Sequence, residues 1–204
     1  MSELPETLGV SRETFERLRI FSDLLIKWNP HINLVSKTTV DDLWTRHFRD
    51  SAQLLRLCDH SAEHWVDLGS GGGFPGLVIA AMQDEPDAPR RVTLIESDTR
   101  KATFIRTVIR EAGLSAEVIA KRIEDAPEQN SNIISARALA PLGALLGLAF
   151  RHIDADAICL FPKGEKWRDE LDAARARWSF DYEAIKSETD GNAVILKIGG
   201  LARV

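Results

Sequence analysis

The stretch that most constrains this chain is Val66-Asp67-Leu68-Gly69-Ser70-Gly71-Gly72-Gly73-Phe74-Pro75-Gly76. A short apolar run (Trp65, Val66, Leu68) enters a glycine cluster, and an apolar stretch of helical length, Leu77 to Met82, leaves it. Strand, glycine turn and helix in that order form a loop that cradles a nucleotide-type ligand. Glycine admits φ > 0 and lets a ligand approach the backbone closely. The helix that follows directs its unpaired N–H groups at the same place. A plain strand–helix turn has no use for glycine at 69, 71, 72 and 73, because each one costs chain entropy. The stretch therefore reads as a binding loop, though it does not name its ligand.

Around that loop the pattern alternates. Candidate strands at 64–68, 92–96, 116–120, 131–135 and 157–161 are separated by helical stretches at 76–83, 98–112, 138–151 and 165–178. This βαβ alternation predicts a doubly wound parallel sheet with helices on both faces. Two further strands, 180–185 and 193–198, are joined only by the turn region Thr189-Asp190-Gly191-Asn192, so they must be antiparallel. Upstream, Phe15, Leu18, Phe21, Leu25 and Trp28 give an amphipathic helix over 11–28, capped by Ser11 and stopped by Asn29-Pro30. A second helix is expected from about Thr39 to Leu57, with Arg46, His47 and Arg49 on it. Spacing alone makes those three a solvated face. The expected organisation is an N-terminal helical extension over 1–60 and an α/β domain with a mostly parallel seven-stranded sheet over 61–204.

Composition narrows the function classes. No apolar run approaches the roughly 18 residues of a membrane helix. The start, Met1 to Glu6, lacks the basic-then-apolar form of a signal peptide, so the expected location is the cytoplasm. Cys58 and Cys159 have neither metal-site nor disulfide-framework spacing, and no metal is expected. A net charge of −5 argues against a protein that coats nucleic acid non-specifically. The expected RNA footprint is a local patch: residues 90–110 carry six basic side chains against two acidic ones, and Lys37, Arg46 and Arg49 can add to it.

Two ligands compete for the loop. Gly71-x-Gly73-x-x-Gly76 satisfies the dinucleotide fingerprint, and Gly69-x-Gly71-x-Gly73 the looser loop of S-adenosylmethionine enzymes. Asp67 lies inside the first strand, where a carboxylate needs a partner; a methionine ammonium or loop N–H groups would provide one. Glu96, at the end of the second strand, can accept from both ribose hydroxyls of either cofactor, or simply cap the next helix. The chain has little room for a separate substrate domain, and the antiparallel closing hairpin suits the methyl donor.

The N-terminal motifs carry a resemblance. Trp28-Asn29-Pro30-His31-Ile32-Asn33-Leu34 resembles a W-N-x-x-I-N-L signature, and Arg46-His47-x-x-Asp50-Ser51 resembles R-H-x-x-D-S. The loop Asp67 to Gly76, Ser135-Ala136-Arg137 and Lys163-Gly164 follow in order. Together they are similar to the glucose-inhibited division protein B family of bacterial small-subunit ribosomal RNA methyltransferases, over about residues 15 to 198. The resemblance implies a class I, Rossmann-like methyltransferase fold and S-adenosyl-L-methionine as cofactor. It further implies methyl transfer to N7 of guanine 527, in the 530 loop of 16S rRNA. The family's cofactor contacts would fall on Gly69, Phe74, Ile123, Glu124 and Arg137, beside Asp67, Gly71 and Glu96 from the residue reading. The arginine motif departs from the family in placing Ala136 between serine and arginine.

Guanine N7 carries an in-plane lone pair and no proton, so its methylation needs positioning rather than a general base. No nucleophile is expected. Arg137 and Lys163 follow the fourth and fifth strands, where open α/β sheets bind ligands, and are expected to position the reactants. The candidate RNA contacts are Arg46, His47, Lys163 and Lys166, with Lys163 on a phosphate. Taken alone, Lys163 reads equally well as a surface cation. The expected partner is 16S rRNA, presented on a small-subunit particle to a monomeric enzyme. The competing functions are a methyltransferase acting on another RNA or a small molecule, and an NAD-binding module without chemistry.

Overall fold

The structure, a computed structural model, describes residues 8–58 and 63–204. The expectation for the extreme N-terminus and the division at 60–61 lie outside the described residues.

Seven strands form one sheet: β1 (His64–Leu68), β2 (Arg91–Ile95), β3 (Glu117–Ile119), β4 (Ser131–Ser135), β5 (Ile153–Lys163), β6 (Trp178–Lys186) and β7 (Val194–Arg203). Their order is β3-β2-β1-β4-β5-β7-β6. The first five are mutually parallel, and β7 runs antiparallel between β5 and β6. The direction of winding reverses between β1 and β4, which is where an open sheet offers its ligand crevice. Strand β1 is buried on both faces, as an all-parallel centre demands. Strand β5 begins four residues earlier than its apolar run suggested, because Asp154, Ala155 and Asp156 extend it with polar or small side chains.

Helix α1 (Arg12–Ile32) is capped at Ser11, whose Oγ accepts the Thr14 N–H at 3.2 Å. It does not stop at Asn29-Pro30. Proline removes one N–H, but the carbonyl it would have met belongs to Ile26, which is 51% exposed and open to water. The helix ends instead at Asn33, whose left-handed φ of 46° turns the chain away. Asn29 is buried, and its Oδ1 accepts the N–H groups of Leu34 (2.8 Å) and Val35 (2.9 Å). The W-N-P-H-I-N-L stretch is thus a self-bonded helix exit.

The expected long helix over 39–57 is broken. A 3-10 turn at Lys37–Thr39 is followed by a π-helical segment at Trp44–Arg49, a short α-turn at Asp50–Ala52 and another 3-10 turn at Leu55–Leu57. Helices α2 (Gly76–Ala81), α3 (Thr99–Glu111), α4 (Leu142–Ala149) and α5 (Trp167–Ala174) cover the sheet. Helix α4 starts later than expected because residues 137–141 form a loop, with Ala138 at φ 53° and Pro141 as its N-cap.

The core has two halves, one on each face of the sheet. In the first, Leu18, Phe21 and Leu25 of α1 pack with Phe48, Phe74, Leu77, Leu94 and Phe104. Phe21 stacks on Phe74 with ring centroids 4.9 Å apart and meets Phe48 edge-on at 5.1 Å. The N-terminal helices are therefore bound to the glycine loop through a shared aromatic cluster, with each such pair contributing about 1 kcal/mol beyond area burial.

Candidate active site

The glycine loop folds around Asp67. Its carboxylate is fully buried: Oδ2 accepts the Gly76 N–H at 3.1 Å and Oδ1 accepts the Ser135 hydroxyl at 2.8 Å. The Trp65 indole N–H donates to the same Ser135 Oγ at 2.8 Å. Of the two partners left open for Asp67, the loop N–H is therefore the one found, and the ammonium contact is corrected: this side chain has no surface to offer a ligand. Burial pushes its pKa up to about 6, against the hydrogen bonds from Ser135 and the loop. Gly76 must be glycine here, since a Cβ would stand 2.8 Å from Asp67 Cβ and 2.7 Å from Leu94 Cδ2.

For Phe74 it is a contact through the ring that is corrected, while its backbone belongs to the loop. Its ring lies in the aromatic cluster, 4% exposed, with His47 at 5.0 Å and the Arg137 guanidinium carbon 5.1 Å above it. It anchors the N-terminal segment to the loop rather than facing a cofactor.

A cleft of about 370 Å³ opens at the C-terminal ends of β1 and β2, lined by Gly69, Gly71, Glu96, Ile123, Glu124 and Arg137 among others. Gly69 and Gly71 have φ of 62° and 56°. A Cβ on Gly71 would meet nothing nearer than the Gly69 carbonyl oxygen, 3.8 Å away, so the loop has open space there. Glu96 accepts the Gly71 N–H at 2.7 Å and the Asp98 N–H at 2.8 Å, one on each oxygen, and a carboxylate keeps further acceptor sites for a diol. Buried His152 fixes the Ile123 carbonyl through Nε2 at 3.0 Å, and Glu124 beside it is exposed. A loop without side chains, a diol acceptor and an exposed carboxylate fit an adenosine bearing an amino-acid arm.

A second cavity of about 610 Å³ adjoins it. Its lining includes Thr39, Arg46, His47, Asp50, Lys163, Glu170 and Asp190. Arg137, Ala138 and Leu139 line both spaces and form the partition between them. Ala138 holds a left-handed backbone at that point, a strained conformation of the kind found where structure serves a site.

The Arg137 guanidinium is held from the N-terminal side. It donates to His47 Nδ1 at 2.6 Å, to the Arg46 carbonyl at 3.2 Å and to Asp50 Oδ2 at 3.4 Å. An arginine can only donate, so Nδ1 is the acceptor and the His47 proton sits on Nε2, which donates to Thr39 Oγ1 at 2.8 Å. His47 is neutral: burial first, then Arg137 and Arg46, lower its pKa to about 4. The solvated-face reading holds for the Arg46 and Arg49 side chains, 47% and 42% exposed, and fails for His47, which the π-helical segment carries inward. His47 is bonded on both ring nitrogens, so direct RNA contact is corrected to a positioning contact. Nothing in the spacing of the motif links it to Arg137, 90 residues away.

Lys163 is not a surface cation. Its side chain is 9% exposed, and Nζ donates to the Ala140 carbonyl at 3.0 Å and to Glu170 Oε2 at 2.8 Å. Glu170 also accepts the Leu142 N–H at 2.8 Å. Lys163 thereby ties the 137–141 loop to α5, and the expected phosphate contact is corrected. Lys166 is exposed but lines a different cavity, with α4, Trp178 and Arg203, so the two lysines do not act together. The basic stretch 90–110 is divided as well. Arg91 opens β2 at the far end of the sheet and donates to His64 Nδ1 at 2.9 Å, while Lys101 stands at the cofactor-sized cleft. Arg46 remains at the mouth of the larger cavity, 3.5 Å from Asp190. No helix among the described residues is long and apolar enough to cross a membrane, and no group of potential metal ligands occurs among them.

A family model described as rRNA small subunit methyltransferase G matches residues 14–193. Ribosomal RNA small subunit methyltransferase G of Ruegeria sp. (strain TM1040) is 52% identical over 197 residues, covering 97% of this chain and 96% of the relative. The protein of the same name from Rhodospirillum centenum is 48% identical over 201 residues, covering 98% and 91%. Among solved structures, the ribosomal protein L11 methylase from Lactobacillus delbrueckii subsp. bulgaricus superposes with a TM-score of 0.61 at 16% identity, covering 76% of this chain and 79% of that one. M. jannaschii TYW2 in complex with AdoMet superposes at 0.55 with 14% identity, covering 84% and 78%. The sheet order with its antiparallel β7 is that of the Rossmann-like class I methyltransferases.

Proposed function

The chain belongs to the rRNA small subunit methyltransferase G family, and from that premise we propose that it transfers a methyl group from S-adenosylmethionine to N7 of guanine 527 in 16S rRNA. The observation that carries this reading is the pair of adjoining cavities with Arg137 in the partition. One is built like a cofactor cleft and the other has room for a flipped base, and residues 137–139, which line both, would stand beside the methyl in transfer.

S-adenosylmethionine supplies a methyl group already activated on a sulfonium. Gly71 leaves open space for the amino-acid arm, and Gly69 admits the Leu139 side chain of the partition, which a Cβ would meet at 2.6 Å. Glu96 accepts from the ribose hydroxyls, Ile123 packs against the adenine, and Glu124 accepts from its amino group. Phe74 supports the loop from behind. Arg137 orients the base or the cofactor carboxylate, and His47 and Asp50 keep it aimed. Lys163 holds the 137–141 loop that forms the partition.

Guanine N7 has no proton to lose, and His47, the histidine lining the larger cavity, has both ring nitrogens engaged. The chain's task is in-line placement within about 3–3.5 Å and exclusion of water. The acidic net charge suits a monomer whose substrate is presented on a small-subunit particle in the cytoplasm, because little non-specific affinity is then needed.

The test is borohydride–aniline cleavage of 16S rRNA from a strain lacking this protein, with and without complementation. Cleavage at guanine 527 should vanish and return. An unchanged pattern refutes the reading. Calorimetry with S-adenosylhomocysteine and with NADH separates methyl donor from dinucleotide.

A further inference from the structure

Three carboxylates line the larger cavity, and they differ in what they leave for a ligand. Asp50 accepts from Thr189 Oγ1 (2.7 Å), Gln53 Nε2 (3.0 Å) and Arg137. Glu170 accepts from Lys163 and the Leu142 N–H on the same oxygen. Asp190 accepts the Asn192 N–H at 3.0 Å on Oδ1 and only a long 3.5 Å contact from Arg46 on Oδ2, and its side chain is 42% exposed. With about four lone-pair sites, this carboxylate has capacity left on both oxygens.

Its place is fixed from outside. Asp190 lies in the turn between β6 and β7, and the N-terminal segment clamps that turn over the cavity. Thr189 is held by Asp50, the Glu188 N–H donates to Gln53 Oε1 at 2.9 Å, and Arg56 pairs with Glu188 at 2.9 Å. The Asn192 N–H fixes one oxygen of the carboxylate itself.

We propose that Asp190 reads the target base: its carboxylate accepts from N1–H and the 2-amino group of guanine, while Arg46 donates to O6. This rests on the N7 reading above. A guanine that turns N7 toward the methyl donor keeps N1–H and the 2-amino group on its opposite edge. Those two adjacent donors match the two oxygens of one carboxylate. Adenine presents a bare acceptor and a C–H there, which would leave a charged group unpaired, and sites built on such groups discriminate strongly. Arg46 fits the third atom because O6 lies between the two edges and accepts. Arg46 also offsets the charge of Asp190 against the RNA backbone.

The experiment uses small-subunit particles reconstituted with 16S rRNA carrying either guanine or inosine at the target position. Inosine keeps N7, O6 and N1–H and lacks only the 2-amino group. The wild-type enzyme should lose roughly 10- to 100-fold in kcat/KM on inosine, the effect of one charge-assisted hydrogen bond. Asp190→Ala should fall by a similar factor on guanine and treat the two bases alike. Asp190→Asn keeps an acceptor for the Asn192 N–H, so the turn stays formed, and it should show the same collapse of the ratio. Arg46→Gln breaks the ion pair but leaves the carboxylate; it should be slower yet still discriminate. Binding of S-adenosylhomocysteine should be unchanged in all three. The proposal is overturned if the wild type does not distinguish the bases, or if both Asp190 variants keep the wild-type ratio. A wild-type enzyme that puts no methyl on N7 of guanine particles removes the underlying reading and this proposal with it.

Discussion

Replacing His47 by glutamine tests the claim that the histidine of the R-H-x-x-D-S motif works as a neutral acceptor for Arg137. The folded-state pKa is about 4 against 6.5 for a free imidazole. Between those values the unfolded chain binds a proton that the folded chain excludes, so stability rises with pH. The contribution is complete above pH 6.5 and is lost as pH falls toward 4. A gap of that size corresponds to about 3 kcal/mol at 1.36 kcal/mol per pH unit. At pH 7.5 the variant loses a hydrogen bond from a charged donor, about 1.5–3 kcal/mol. That deficit should be largest at neutral pH and should close as pH drops to 4, because proton uptake by the unfolded wild type cancels the contribution over that range. His64, also lowered to about 4, adds a parallel slope in both proteins; Asp67, raised to about 6, adds an opposite one, so the difference between proteins isolates His47. The assay is urea unfolding followed by tryptophan fluorescence at several pH values. A deficit that stays constant from pH 7.5 to 4 would falsify the neutral-acceptor assignment.

Three further outcomes follow from the packing. Asn29→Ala leaves two N–H groups of the helix exit, one buried and one part-buried, without their acceptor and should cost about 2–6 kcal/mol in urea unfolding, at 1–3 per donor. Gly72→Ala places a Cβ 2.8 Å from the Leu34 carbonyl oxygen, so it should lower Tm through overpacking of about 1–3 kcal/mol and weaken S-adenosylhomocysteine binding with it. Lys163→Ala should reduce kcat while leaving the salt dependence of RNA binding unchanged; a shallower salt slope by about one unit would restore the phosphate role.

Much of the fold was legible because strand and helix periods differ so clearly. The strands at 64–68 and 131–135 match their apolar runs at both ends, since a central strand is buried throughout. Pro30 misled because the rule about the residue before proline is local, whereas a helix whose freed carbonyl meets water can absorb it. The 39–57 segment misled because its apolar face is real, while its turn is widened to carry His47 and Asp50 toward Arg137. Site residues fared by type. The glycines and Glu96 are placed by the loop they build, where the Gly71 N–H bonds Glu96. The states of Asp67, Lys163 and His47 depend on partners 68, 7 and 90 residues away, and no local pattern encodes those distances.

The clamp between residues 50–56 and the turn at 187–190 joins parts of the chain more than 130 positions apart. On a ribosome making this protein, the N-terminal half of the larger cavity emerges early and waits. Its opposite wall arrives only when β6 and β7, the last two strands, have been released and paired. Contacts of such long range form late and slowly, because loop closure comes first. The residues that line the glycine cleft run to Leu148, whereas those of the second cavity run to Ile195, so that cavity is finished only near the end of translation. Until those strands pair, the wall that carries Thr189 and Asp190 is missing from the second cavity.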